Sequence, residues 1–419
     1  MRQRSENSEF TISSRRSFLR YALAAAATPI LTEAHFARAA QMRTAADGRP
    51  VPPSLIFPSM PAGAVLINAN ENPLGPCQAA RERIAALTPA GGRYDLYGEA
   101  DKLIETFASQ HHLKPDHVAV YAGSSEPLFY TVLAFTSPSR SLVIADPSYE
   151  WGMMAAGAAG APIHKIPLTG EYAHDVKTMV SADPNAGVIY ICNPNNPTGT
   201  LTSKQNIVWA LGNKPRGSVL LVDEAYIHFA DAPDVLDLVA ADKDIVVLRT
   251  FSKVYGMAGL RCGLALARPD LLAKLRMFGE NFMPILGTGP ANASLLDAEV
   301  VPTRKKIIGD TRRETIAWLR QKGYKVIGES QSNCFMIDTG RDGRSVMAAM
   351  QQKNIFIGRT WPVWPNAVRI TVGTPEEMAK FRTAFKEVMD APPVAAPAPS
   401  QSAMADGVRP PRFTRAFYD

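Results

Sequence analysis

Ile245-Val246-Val247-Leu248-Arg249-Thr250-Phe251-Ser252-Lys253 is an apolar run that ends in a hydroxyl residue and a lysine, and Gly259-Leu260-Arg261-Cys262-Gly263 places an arginine eight positions after that lysine. A short apolar run bounded by small or turn-forming residues reads as a buried strand. Comparable runs occur at 118–121, 142–145, 188–192, 219–222 and 264–267, and stretches of helical period lie between them at 128–135, 204–211 and 271–277. This alternation predicts an α/β fold whose large domain has a mostly parallel sheet covered by helices. From about residue 287 the pattern changes to a long helical segment at 303–322 and short strands at 334–337 and 368–371. That change predicts a smaller α+β C-terminal domain, joined by part of the N-terminal segment.

Open α/β sheets gather ligand-binding groups where their strands end. Here the run ends carry Gly123-Ser124-Ser125-Glu126, Asn193-Pro194-Asn195-Asn196-Pro197-Thr198-Gly199, Asp223-Glu224-Ala225-Tyr226 and Ser252-Lys253. A lysine after a strand is ordinarily a solvated charge, but presented by a small-residue turn it can capture a carbonyl as an amine. Asp223 offers a carboxylate to keep a pyridine nitrogen protonated, and Asn196 and Tyr226 offer donors for a ring oxygen. Ser124 and Ser125 lie at the start of a helical run, where backbone N–H groups, with Ser252 and Arg261, suit a phosphate. An aldehyde on a phosphorylated pyridine ring satisfies all these groups, so pyridoxal 5'-phosphate is the expected cofactor. Taken singly, Asp223 could be a turn former, and Arg261 or Arg369 a surface ion-pair partner worth little; those readings would all have to hold at once.

The order of these motifs resembles that of fold type I pyridoxal phosphate aminotransferases (class I/II), most nearly the histidinol-phosphate aminotransferase branch. Asn70-Glu71-Asn72-Pro73-Leu74-Gly75, Arg93-Tyr94, Asp223-Glu224-Ala225-Tyr226, Ser252-Lys253 with Gly259-Leu260-Arg261-Cys262-Gly263, and Arg369-Ile370-Thr371-Val372-Gly373-Thr374 carry the resemblance across residues 66–389. It implies catalytic roles for Lys253, Asp223 and Tyr226, and a ring-stacking role for Tyr149 in Asp146-Pro147-Ser148-Tyr149. It further implies that Tyr94 reaches the cofactor phosphate of a partner subunit, making a homodimer with shared sites. Arg369 would grip the substrate carboxylate, Asn333 would lie near the substrate, and Arg359 would meet a second anionic group. Three departures stand out. Pro127 follows Glu126 in a first helical turn, where proline is tolerated; Asp95-Leu96-Tyr97 follows Tyr94, leaving Tyr97 as an alternative phosphate ligand; and Gly358-Arg359-Thr360-Trp361-Pro362-Val363-Trp364-Pro365 suggests a narrower, more apolar substrate pocket.

Ser14-Arg15-Arg16-Ser17-Phe18-Leu19-Arg20, an alanine-rich apolar stretch at 21–31 and Ala37-Arg38-Ala39 resemble a twin-arginine export signal processed after Ala39. A basic amphipathic tail or a misassigned start is the other reading. The stretch falls short of the ~20 apolar residues a membrane-spanning helix needs, and the first cysteine, Cys77, is too distant for a lipid anchor. Export of a folded chain by the twin-arginine translocase suits a protein that must acquire its cofactor in the cytoplasm, and the expected location is the periplasm. Histidinol phosphate is a cytoplasmic intermediate, so this location argues against routine histidine biosynthesis.

The 419 residues, 46% of them hydrophobic, are enough for two domains and a substantial core. Residues 1–39 hold six Lys or Arg against three Asp or Glu, so their removal lowers the net charge from +6 to +3, with no basic stripe for nucleic acid. Cys77, Cys192, Cys262 and Cys334 lack zinc spacing and read as packing thiols, with a disulfide left open; His111, His112 and His117 lack a ligand pattern, and no metal is expected. The expected organisation is a signal at 1–39, a linker at 40–65, an N-terminal arm with part of the small domain at 66–98, the large cofactor-binding domain at 99–286, the small domain at 287–390, and a disordered tail at 391–419 opening with Ala391-Pro392-Pro393.

The expected activity is amino transfer from an amino acid or amino alcohol phosphate to a 2-oxo acid, with 2-oxoglutarate implied by the resemblance. Lys253 would move the proton between the substrate α-carbon and the cofactor. Two rivals remain: a phosphoamino-acid decarboxylase using the same lysine and aspartate, decided by pocket residues near Arg359, and a non-catalytic cofactor-binding protein. The second would be marked by loss of Lys253, Asp223 or the carboxylate arginine, and all three are present.

Overall fold

The computed structural model describes residues 61–279 and 282–393. The expected signal, nearly all of the linker and nearly all of the tail lie outside the described residues. The first strand, β1, is Val65–Ile67. Helices α1 (Gln78–Leu87) and α2 (Glu99–Gln110) follow. The large domain then alternates β2 (Val118–Tyr121), α3 (Ser125–Phe135), β3 (Ser141–Asp146), α4 (Trp151–Ala158), β4 (Ile163–Pro167), α5 (Val176–Ser181), β5 (Ala186–Cys192), α6 (Lys204–Asn213), β6 (Val219–Asp223), α7 (Leu236–Ala240), β7 (Ile245–Thr250), β8 (Gly263–Leu266) and α8 (Pro269–Arg276).

Seven of these strands form one sheet in the order β2-β8-β7-β6-β5-β3-β4. Neighbours from β7 to β4 run parallel, whereas β8 is antiparallel to both β7 and β2. Strands β5 and β6 are buried at every position, as expected of central strands covered on both faces. The edge strand β4 escaped the sequence reading because His164 and Lys165 interrupt its apolar residues, and it is only partly buried. Its Lys165 pairs with Asp146 across the strand boundary at 3.4 Å. Pro127 lies in the first turn of α3, where its missing N–H has no helical partner to lose.

The C-terminal part contains α9 (Ile285–Leu296), α10 (Val300–Gln321), β9 (Lys325–Ile327), β10 (Cys334–Asp338), α11 (Gly343–Gln352), β11 (Ile355–Ile357), β12 (Ala367–Thr371) and α12 (Pro375–Asp390). Helix α9 packs on α1 and α2 rather than on the C-terminal strands. The close approach needs a small residue, because a Cβ on Gly289 would stand 2.4 Å from Leu87. Strands β12-β10-β9 make an antiparallel sheet, and β1 pairs in parallel with β11 in the register Val65↔Ile355 and Ile67↔Ile357. After β12, Thr374 and Glu377 close a reciprocal capping box, with Pro375 in the first turn, so the end of the Arg369–Thr374 motif starts α12.

Candidate active site

The topology brings the motif residues to one edge. Strands β2, β3, β5, β6 and β7 all end there, and antiparallel β8 begins there, which returns Arg261 to the edge that Ser252 and Lys253 have just left. At the tip of β6 the Asp223 carboxylate is buried, accepting hydrogen bonds from Tyr190 Oη at 3.0 Å and the Ala225 N–H at 3.1 Å. Burial pushes its carboxyl up to about 6, while the two donors and the Lys253 charge pull the other way. Removal from bulk water, with repulsion from Arg369, pushes the Lys253 amine down to about 8. Lys253 Nζ lies 5.5 Å from the Tyr226 ring centre and donates to the Ala69 carbonyl at 3.4 Å. Tyr226 Oη accepts from Asn70 Nδ2 at 3.1 Å, which leaves the phenol proton free to donate.

A second cluster surrounds the start of α3. Ser124, at the N-cap, makes no side-chain bond to its own helix. Gly123 adopts φ 93°, and a Cβ there would stand 2.3 Å from Arg261 Nη2; a Cβ on Gly263 would stand 2.5 Å from the Gly123 carbonyl carbon. Arg261 is itself left-handed at φ 55°, held by donation to the Ala258 carbonyl at 2.7 Å and the Ala122 carbonyl at 3.0 Å, with Ser252 Oγ at 3.5 Å. Ser125 Oγ and Tyr149 Oη are 3.1 Å apart. Helix N–H groups, three serine hydroxyls and a guanidinium converge here, and this cradle fits a phosphate.

The third cluster comes from the small domain. Buried Arg369 on β12 donates Nη1 to Asn196 Oδ1 at 2.8 Å and Nη2 to the Asn68 carbonyl at 2.7 Å, while its Nε has no partner. Since Asn196 Oδ1 accepts from Arg369, the amide's Nδ2 remains a donor, as a ring oxygen requires. The guanidinium groups of Arg369 and Arg359 lie 5.6 and 4.5 Å from the Trp361 ring centre. Arg359 is ion-paired with Glu150. Asn333 spends its Nδ2 on the Asn70 and Glu71 carbonyls, at 3.1 and 3.2 Å, so it fastens the N-terminal loop. Tyr94 is set apart from these groups: it is 75% exposed and packs on Phe282 at 4.9 Å, and Tyr97 is exposed as well.

An anion cradle, a buried carboxylate near a lysine of lowered basicity, and a buried arginine with an unused N–H together match the donor set of pyridoxal phosphate and an anionic substrate. The family described as aminotransferase class I and II matches residues 63–385. The chain belongs to the class I and II aminotransferases. It resembles a histidinol-phosphate aminotransferase of Moorella thermoacetica, 30% identical over 335 residues, 78% of this chain and 85% of that one. It also resembles an aromatic amino acid aminotransferase of Cutibacterium acnes, 32% identical over 319 residues, 75% of this chain and 89% of that one. The structure of a Sinorhizobium meliloti histidinol-phosphate aminotransferase with pyridoxal-5'-phosphate shares the fold, with a TM-score of 0.70 at 24% identity over 77% of this chain and 90% of that one. This aminotransferase is a pyridoxal phosphate-dependent enzyme with the fold type I architecture.

Sequence reasoning missed four residues of the aminotransferase site. Tyr190 reads as core within an all-apolar strand, and Asn70, quoted in a motif, gave no sign of its bond to a tyrosine 156 positions away. Trp361 was noted only as part of an aromatic segment, and Glu150 carried no signal beyond its place after Tyr149.

A carboxyl held at about 6 in the folded chain, against the usual 3.8, keeps its proton longer when folded than when unfolded. Its contribution to the stability of the cofactor-free protein is therefore complete below about pH 4 and is lost as the pH rises through about 6. Asp223→Asn, which stays neutral, should gain about 2–3 kcal/mol relative to wild type across that window. Urea denaturation of both cofactor-free proteins checks this, and a pH-independent difference would contradict the buried-acid account.

Proposed function

We propose that this aminotransferase holds its cofactor through Lys253 and runs both halves of an amino transfer in the pocket shared by its two domains. The observation that carries the reading is the 2.8 Å bond between Arg369 and Asn196, which joins the small domain's anion-binding residue to the large domain's ring-oxygen residue. When bound, pyridoxal phosphate supplies an aldehyde for the amino group and a ring that acidifies the substrate Cα–H. Ser124, Ser125, Ser252 and Arg261 hold the phosphate, and Tyr149 covers the ring. Asp223 keeps a proton at the pyridine nitrogen, with Tyr190 stabilising the ionised carboxylate that this requires. Asn196 and Tyr226 donate to the ring oxygen.

Arg369 binds the substrate carboxylate with its free Nε–H and orients the Cα–H toward Lys253. With the amine held down to about 8, about a tenth of it is neutral at pH 7, ready to take that proton and return it to the cofactor's C4' carbon. The donor is an amino compound bearing an anion for Arg369, and the acceptor a 2-oxo acid. Lys253→Ala should lose at least about 10³-fold in turnover, together with the yellow colour and the borohydride-stable link at this position. Wild-type turnover with retained yellow colour in the variant, or a borohydride link at another lysine of the wild type, would disprove the assignment.

The assembly we propose is a homodimer. Support comes from a run of exposed apolar and aromatic residues, Tyr94, Leu96, Tyr97, Met277 and Phe282, with Tyr94 and Phe282 in ring contact. In this reading Tyr94 reaches the phosphate of the partner's site. Mixing Tyr94→Phe with Lys253→Ala subunits under conditions of exchange should then restore one intact site per heterodimer. Proven exchange without recovered activity would count against sharing.

We also propose export to the periplasm as a folded, cofactor-loaded protein, on the strength of Arg15-Arg16 and the small-residue site at Ala37 and Ala39. Replacing both arginines by lysine keeps the charge and removes the guanidinium geometry. The variant should stay uncleaved and active in the cytoplasm. Unchanged processing and periplasmic yield in cells lacking the twin-arginine translocase would refute this route.

A further inference from the structure

Glu150 occupies the N-cap of α4, directly after Tyr149. A carboxylate at a helix start is favoured by the free N–H groups of that helix. Glu150 makes no bond to them, and its carboxylate pairs with Arg359, 209 positions away in the other domain. Arg359 is not an isolated rim charge. Its backbone carbonyl accepts from the Arg369 N–H at 3.2 Å, its guanidinium lies over Trp361, and its charge is felt by both Tyr149 and Arg369. Trp361 is buried and donates Nε1–H to the Ser148 carbonyl at 3.4 Å, so the same aromatic segment is tied to the turn that carries Tyr149 and Glu150. Beside it, Trp364 meets Tyr172 edge to face at 5.7 Å.

We propose that Glu150 is a specificity-determining residue that occupies Arg359 and so sets the distal end of the substrate pocket against a second anion. The proposal rests on the reading of Arg369 as the carboxylate-binding residue. A substrate with one carboxylate uses Arg369 and lays an uncharged aromatic or apolar group along the aliphatic part of Arg359. A substrate with a second carboxylate or a phosphate must either displace Glu150 from Arg359 or sit beside its carboxylate. Both cost affinity that the neutral substrate keeps, and specificity is that difference. The same penalty falls on amino donors and 2-oxo acids, because both use this pocket in turn.

The test measures binding of two substrate-like acids to the cofactor-loaded enzyme by calorimetry: glutarate, with two carboxylates, and 3-phenylpropionate, with one carboxylate and an aromatic ring. Wild type should favour 3-phenylpropionate. Glu150→Gln should shift the ratio of the two dissociation constants about 3- to 10-fold toward glutarate, and adding Arg359→Gln should cancel that shift. Arg369→Ala should weaken both acids alike. An unchanged ratio in Glu150→Gln, or a shift that survives loss of Arg359, would overturn the proposal while leaving the role of Arg369 intact. If wild type binds neither acid, or Arg369→Ala binds both as wild type does, the carboxylate reading of Arg369 falls and this proposal falls with it.

Discussion

A carboxylate buried at the end of a central strand is costly unless nearby charge and hydrogen bonds answer it. Asp223 has two neutral donors, Tyr190 and Ala225, and a lysine whose own basicity is depressed. Within the chain alone this leaves the acid far from its ordinary strength. In the proposed reading a protonated pyridine ring placed against it would supply the missing positive charge, and the cost carried by the folded chain would be recovered on cofactor binding. The remaining site geometry follows from where that acid sits. Asn196 and Tyr226 leave neighbouring strand ends, and antiparallel β8 brings Arg261 to the same edge as Ser252.

The next residue repeats the device with a different result. Glu224 is buried without exposure and bonded to Arg249 Nε at 2.9 Å, while Arg249 also reaches Asp234 at 2.7 Å. Burial still pushes the Glu224 carboxyl up to about 7. Asp223 is the last residue of β6, whereas Glu224, just beyond it, ties the ends of β6 and β7 together through Arg249. The ligand-facing acid is left short of a cation, and its neighbour is given one.

Much of this was readable from local pattern. The runs at 118–121, 219–222 and 245–248 fall within β2, β6 and β7, because continuous apolar residues in short blocks have few alternatives to a buried strand. Lys253, Asp223, Asn196 and Ser252 stood out because polar residues at strand ends are conspicuous against those runs, whereas Arg369, in the middle of its strand, was singled out only by the family resemblance. What could not be read was pairing. Tyr190 looks like any core aromatic until its hydroxyl is seen on Asp223. The Glu150 partner of Arg359 gave no sign in the sequence, nor did the bonds from the Asn333 amide to the Asn70 loop. Each depends on a partner brought close by topology rather than by sequence, and no periodicity encodes that.

Strand β1 pairs with β11, and the loop that follows it is held by Thr371, Tyr226 and Asn333. Asn72 and Arg304 both donate to the Val254 carbonyl at 2.9 Å, beside the lysine turn. Residues 65–67 therefore find their strand partner only once residues 355–357 exist. Asn70 and Thr371 lie 301 positions apart, and closing so long a loop carries an entropic cost that shorter-range contacts avoid. Quality control of this protein, by a chaperone or by any machinery that accepts only finished molecules, has a natural checkpoint in whether residues 65–75 have found their place.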